Sequence, residues 1–127
     1  IPGTIKTEIA LNQIVGSDPI LFAVGSPFLA ESSKPILNRV AEILIENPEG
    51  NLEIEGHSDT DGAEDINLDL SASRAEAVLE YLISRGAEPS RLSAIGYGET
   101  RLKIDPEVTA ADRAANRRIE FRVIFEN

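Results

Sequence analysis

From about residue 35 onward the hydrophobic pattern switches repeatedly between the period of a helix and the period of a strand. No other feature constrains the fold as much. Ile36, Leu37, Val40, Ala41 and Leu44 follow the i, i+3, i+4 spacing of an amphipathic helix. Ser32 or Ser33 is placed to cap its start, and Pro35 suits a first turn, where a missing N–H leaves nothing unpaired. Asn47-Pro48-Glu49-Gly50 stops it. Leu52, Ile54 and Gly56 then alternate with Glu53 and Glu55, which predicts a half-buried strand with an acidic outer face. A second helix is expected from residue 65 to Arg85, with its apolar stripe in Ala75, Val78, Leu79, Leu82 and Ile83 and its stop at Gly86. Leu92, Ala94 and Gly96 suggest a further strand, ended by a turn at Gly96-Tyr97-Gly98-Glu99. Residues 100–109 read as a loop containing Pro106, and 110–116 as a short helix. Ile119, Phe121, Val123 and Phe125 alternate with Glu120, Arg122 and Ile124 as a last strand.

Upstream, residues 4–16 carry Ile5, Ile9, Leu11 and Ile14 at loosely helical spacing, and Ser17-Asp18-Pro19 reads as a turn. The apolar run Ile20–Val24 is consistent with a buried strand, broken by Gly25-Ser26-Pro27. Strand–helix–strand connections force crossovers, so part of the sheet is expected to be parallel, with helices packed on it. The expected fold is α+β, a two-layer α/β sandwich whose core is aliphatic rather than aromatic. No internal repeat is visible. A chain of 127 residues is about one domain, and 42% hydrophobic with 27% charged residues is ordinary for a globular protein. Apolar runs such as Ile43-Leu44-Ile45 are too short to cross a membrane, and no segment has the form of a signal peptide. The chain opens on Ile1 rather than methionine, as a piece of a longer protein would.

Twelve basic against 22 acidic residues give a net charge of −10. That argues against nucleic acid, whose phosphates need clustered Lys and Arg, and against anionic membrane surfaces. The bases are unevenly placed: residues 1–90 hold 16 acids and five bases, and residues 91–127 hold six and seven. Arg113, Arg117 and Arg118 form a short basic run without interleaved aromatics, a poor nucleic-acid patch. With no cysteine there are no disulfides, thiolate zinc sites or thiol catalysis. A lone histidine, His57, excludes a multi-histidine metal site, and no G-x-S-x-G elbow is present. Aligning Gly62 with the invariant glycine of a calcium loop puts His57 and Leu68 at end positions that require carboxylates, so that mode fails. His57 is read as a hydrogen-bonded structural residue. No metal or cofactor is expected, and no nucleophile–base pair suggests an enzyme.

The most informative stretch is 51–75, where a polar loop, His57 to Gly62, ends a strand and precedes a helix. α/β sheets commonly place ligands at such loops. Asp59 and Asp61 lie in the loop, and Asn67 and Arg74 on the helix. A carboxylate and a guanidinium brought to one pocket would hold the ammonium and the carboxylate of a zwitterion such as an amino acid. Spacing alone favours a plainer reading of Arg74 as an exposed arginine paired with Asp69 or Glu76. It leaves Asp59 open as a cap of the following helix, and Arg118 and Arg122 as cover for Glu53 and Glu55.

Several separated motifs nevertheless occur in one order: Gly56-His57-Ser58-Asp59, Gly62, Asn67, Leu70-Ser71, Arg74-Ala75, Arg91-Leu92, Gly96-Tyr97-Gly98-Glu99 and Arg113-Ala114-Ala115-Asn116-Arg117-Arg118-Ile119-Glu120-Phe121. Together with Ile20-Leu21-Phe22, Gly25-Ser26 and Leu37 upstream, they resemble the signature of OmpA-like peptidoglycan-binding domains over residues of about 20 to 125. The resemblance implies a βαβαβ-type sandwich with a mixed sheet and helices on one face. It divides the chain into an N-terminal extension, read as an added helix (1–19), and the domain itself (20–127). The implied ligand is the peptidoglycan stem peptide, chiefly its meso-diaminopimelate. By resemblance Asp59 takes the diaminopimelate ammonium and Arg74 its carboxylate. Asn67 lines the pocket, Leu70 supports it, Arg117 lies near the ligand, and Asp61 stands where members often carry Thr or another polar residue. Ser58 replaces the commoner Thr. Peptidoglycan stems are themselves anionic, so local complementarity rather than bulk charge would have to carry binding. The implied role is a non-catalytic cell-wall anchor in the periplasm of a diderm bacterium, as part of an outer-membrane-associated or other envelope protein, with no membrane insertion by this segment. The alternative is a module that docks envelope proteins, its peptidoglycan site modified or unused.

Overall fold

The segment in which Leu52, Ile54 and Gly56 alternate with acidic residues becomes the central strand, β1 (Asn51–His57), of a three-stranded sheet. The computed structural model describes residues 8–13, 20–23, 25–48 and 50–124. Helix α1 (Lys34–Glu46), preceded by a 3-10 turn over Glu31–Ser33, leads into β1. Helix α2 (Glu64–Ser84) carries the chain over to β2 (Leu92–Gly98), and the short α3 (Ala110–Asn116) precedes β3 (Arg118–Ile124). The sheet order is β2-β1-β3, with β1 parallel to β2 and antiparallel to β3. This is the mixed α+β sandwich expected.

Leu37, Val40, Ala41 and Leu44 of α1 and Ala75, Val78 and Leu82 of α2 meet Leu52, Ile54, Ile119 and Phe121 of the sheet in one aliphatic core. Pro35 falls in the first turn of α1, as predicted. Ser33 occupies the N-cap position without capping; its Oγ instead accepts from the Leu21 N–H at 2.8 Å. Gly86, at φ +102°, ends α2 in the left-handed conformation a glycine stop requires.

Three local expectations differ from the structure. Ile20–Val24 does not join the sheet among the described residues. Phe22 makes a single antiparallel bridge to Leu29, with Ala23 N–H donating to Phe28 O (3.0 Å) and Ala30 N–H to Leu21 O (2.9 Å) across a tight turn at Gly25. Two outward donors of β3 are already taken: residues 8–13 are helical, and Asn12 Oδ1 accepts from Phe121 N–H (2.9 Å) while Glu8 Oε2 accepts from Val123 N–H (2.7 Å). Side chains thus blunt that edge. The rest of the predicted 4–16 helix lies outside the described residues, as does Phe125.

Secondly, Glu53 and Glu55 are not half-exposed. They are 8% and 6% exposed, because β1 is central and its second face is covered by neighbours. Tyr97 donates its hydroxyl to Glu53 Oε1 at 2.9 Å, and the Arg101 guanidinium lies 3.8 Å over the Tyr97 ring. Thirdly, Gly96-Tyr97-Gly98 is not a turn after β2 but its last three residues. Gly96 stands where Ala72 of α2 rests on the strand: a Cβ there would lie 2.4 Å from the Ala72 nitrogen.

Candidate ligand-binding site

The loop after His57 turns the chain from β1 into α2 at the carboxyl end of the parallel pair, the place where open α/β sheets hold ligands. Asp59 in this loop is only 5% exposed. Its Oδ1 accepts from Asp61 N–H at 2.9 Å, and its Oδ2 is paired with the Arg117 guanidinium. Asp59 therefore does not cap α2, whose N-cap position is Ala63 with no side-chain bond. One turn into α2, Asn67 Nδ2 donates to the carbonyls of Asp61 (2.8 Å) and Asp59 (3.4 Å), bracing the loop from the helix.

Arg74 pairs with neither Asp69 nor Glu76. Its Nε donates to Ser26 O (3.0 Å) and its Nη2 to Ala23 O (3.4 Å), and its guanidinium lies 5.0 Å over the Phe22 ring. The turn that replaces the expected strand thus aims this side chain. Among the described residues no carboxylate pairs with Arg74. Burial first, and Arg117 close by second, pull its pKa below the usual arginine value. Both effects disfavour a charge without a counterion, and an opposite charge placed against this guanidinium would offset them.

Asp61, Arg74 and Arg117 line one cleft of about 670 Å³, together with the apolar side of Ile20, Leu21 and Phe22. Asp59 stands immediately behind Arg117. Asn67 acts on the loop rather than on the cleft lining, and half-buried Leu70 does not line the cleft. Sequence reasoning missed Glu107, which accepts from Thr60, and Asn116, which is wholly buried beside it. The one available signal was an amide residue immediately before Arg117, at the point where a helix gives way to a strand.

His57 is buried and stacks on Tyr97, with ring centroids 5.5 Å apart. Its Nε2 lies 3.2 Å from Glu55 Oε1, and its Nδ1 has no partner among the described residues. Nε2 and carboxylate oxygens of Glu55 and Glu120 lie within 4.8 Å of one another, and Glu120 is itself held by Arg118 Nε at 2.9 Å. Burial first, then Arg118, push the imidazole pKa down to about 4, so the ring is neutral at pH 7. An unfolded His57 would take up a proton near pH 6.5, which the folded one refuses until about pH 4. Stability from this group is therefore lost as the pH falls through that window, by on the order of 3 kcal/mol at most. Glu55 works in the opposite sense: burial, then Glu53, raise its carboxyl to about 6, so its folded state gains a proton first. His57→Gln is expected to remove the acid-sensitive part and leave a flat or rising urea midpoint from pH 6.5 to 4.5. A variant that loses stability as steeply as wild type would contradict this.

A buried carboxylate, a guanidinium with no carboxylate partner among the described residues and an apolar wall thus stand together at the end of a parallel strand pair. The OmpA family matches residues 21–117, and the chain belongs to that family. It is 38% identical over 116 residues to the peptidoglycan-binding protein ArfA of Mycobacterium tuberculosis (strain ATCC 25618 / H37Rv), a match covering 91% of this chain and 35% of that protein. It is 37% identical over 84 residues to the peptidoglycan-associated lipoprotein of Rhizobium meliloti, covering 66% of this chain and 48% of that one. The chain thus spans about a third to a half of these relatives. Among solved structures, a putative MotB-like protein from Desulfovibrio vulgaris superposes with a TM-score of 0.78 at 26% identity, covering 97% of this chain and 94% of the other. The cell wall anchor of the T6SS from Pseudomonas aeruginosa superposes with a TM-score of 0.72 at 31% identity, covering 84% and 76%. Three of these four, the peptidoglycan-binding protein, the peptidoglycan-associated lipoprotein and the cell wall anchor, carry the cell wall or its peptidoglycan in their names. No helix among the described residues is long and apolar enough to cross a membrane.

Proposed function

We propose that the chain binds peptidoglycan without covalent chemistry, through the meso-diaminopimelate of the stem peptide, and so fastens an envelope protein to the cell wall in the periplasm. The observation that carries this reading is Arg74: a guanidinium positioned at the cleft by two backbone carbonyls and Phe22, with no carboxylate partner of its own among the described residues. The carboxylate at the free end of diaminopimelate is planar and suits that fork. The neighbouring ammonium is drawn to Asp59. An ionised carboxylate has about four lone-pair positions, so Asp59 can keep Asp61 N–H and Arg117 and still receive an ammonium hydrogen. Phe22 and Leu21 offer an apolar wall for the methylenes between the two ends.

The test compares stem peptides ending in diaminopimelate with those carrying lysine, which lacks the distal carboxylate. Wild type is expected to favour the diaminopimelate form by about 10- to 100-fold, the range for a hydrogen-bonded charge left without its partner. Arg74→Lys keeps the charge but loses the planar fork and should shrink that preference, with little change in melting temperature. Equal affinity of wild type for both peptides would remove Arg74 from the role. So would an Arg74→Lys protein that binds normally but melts lower.

A further inference from the structure

Thr60 sits between Asp59 and Asp61, yet its partners come from 47 residues away. Glu107 Oε1 accepts from the Thr60 backbone N–H at 3.1 Å and from its hydroxyl at 2.5 Å. The other carboxylate oxygen, Oε2, accepts from Asn116 Nδ2 at 2.7 Å. Asn116 is 0% exposed and has no spare freedom. Its Oδ1 accepts from the N–H groups of Lys103 (2.7 Å) and Ile104 (2.9 Å), and its Nδ2 also donates to Ile104 O at 2.9 Å. Both donors and both acceptor positions of the amide are therefore used. A wholly buried, fully bonded side chain fixes Glu107, and Glu107 fixes the middle of the loop.

We propose that Glu107 is a positioning residue for the ligand site, holding Thr60 so that the Asp59 carboxylate is set before the ligand arrives. The proposal rests on the reading of Asp59 as a ligand residue. The loop is held from three directions: Asn67 of α2 binds its carbonyls, Arg117 binds the Asp59 carboxylate, and Glu107 binds the Thr60 N–H and hydroxyl. Asn116 and Arg117 are consecutive, so one short segment anchors both the relay and the guanidinium that meets Asp59. The relay needs an acceptor on each oxygen of residue 107. Only a carboxylate supplies that; a glutamine must turn its NH2 toward either Thr60 or Asn116, setting donor against donor. A loop that is not held must be ordered on binding, and affinity falls by that ordering term.

The experiment uses wild type, Glu107→Gln, Thr60→Val and Asp59→Ala, with a soluble diaminopimelate-containing stem peptide as the probe. Amide hydrogen exchange at residue 60, melting temperature and affinity are measured on each. Glu107→Gln is expected to speed exchange of the Thr60 N–H. It should also weaken peptide binding by about 3- to 10-fold, leave the preference for diaminopimelate over lysine intact, and move the melting temperature little. Thr60→Val, which keeps the N–H bond and loses only the hydroxyl, should fall between. Unchanged exchange at residue 60 in Glu107→Gln overturns the proposal whether or not the peptide binds. So does normal affinity in Glu107→Gln beside lost affinity in Asp59→Ala, and so does a weakening that only tracks a general drop in melting temperature. Equal binding by wild type and Asp59→Ala points instead to failure of the ligand assignment.

Discussion

Asp59→Ala is expected to weaken binding of a diaminopimelate-containing stem peptide by about 2–5 kcal/mol, measured by titration calorimetry, while the protein stays folded. Two losses combine in that figure. The ligand ammonium loses its anionic partner. Arg117 loses the carboxylate it is paired with, so the cleft then presents Arg74 and Arg117 without the neighbouring negative charge that offsets them. Arg117 is roughly half exposed, so water takes over much of its solvation, and the fold does not inherit a buried unpaired charge. The remaining folding cost is the hydrogen bond from Asp61 N–H to Oδ1, about 1 kcal/mol. Asp59→Asn isolates the charge, since an amide oxygen can still accept from Asp61. It should bind nearly as poorly as the alanine variant with an even smaller change in melting temperature. Affinity unchanged in both variants would place the ammonium elsewhere.

How far the site and the fold can be read from the chain depends on whether the cause is local. The periods of α1, α2 and β1 are local, and each element lies within a few residues of its expected place. Asp59, Asp61, Asn67 and Arg74 are local in the same way, because one loop and the helix it enters carry all four. The turn at residues 21–30 was not legible, since a short apolar run has the same appearance whether it pairs within a sheet or walls a cleft. Nor was it legible that two backbone donors of β3 are taken by Glu8 and Asn12, which lie more than a hundred residues from that strand in sequence. The burial of Glu53 and Glu55 has the same origin: an acidic alternation predicts an outer face until Tyr97 and Arg101 of another segment cover it. Glu107 is the extreme case. Its link to Thr60 spans 47 residues between two irregular segments, where no period exists to reveal it. Leu70, carried in by family resemblance alone, lies on the right helix but away from the cleft lining.

The largest expected effect on stability belongs to a residue with no chemistry at all. Gly56 lies in β1 where α2 passes over the strand, and a Cβ added there would sit 2.0 Å from the Ser71 carbonyl oxygen and 2.8 Å from its carbon. Those are backbone atoms, so no rotamer change can clear them; the helix must move off the strand or the strand must bend. Gly56→Ala is therefore expected at or beyond the upper end of the range for overpacking, about 3 kcal/mol or more. For a marginally stable domain that is a large share of the total, seen as a fall in melting temperature on the order of 10 °C. Gly62→Ala is the control that separates space from conformation. Gly62 has φ +87°, but the nearest atom to an added Cβ would be Asn67 Oδ1 at 3.9 Å, so only backbone strain of about 1–2 kcal/mol applies. The ordering Gly56→Ala well below Gly62→Ala, and Gly62→Ala below wild type, is the expected result in thermal unfolding. Because α2 carries Asn67 and Arg74 while β1 leads directly to Asp59, any Gly56→Ala protein that still folds should also bind the stem peptide poorly. A Gly56→Ala protein as stable as Gly62→Ala would mean that α2 yields easily, and that the contact between helix and strand does not set the distance between Arg74 and Asp59.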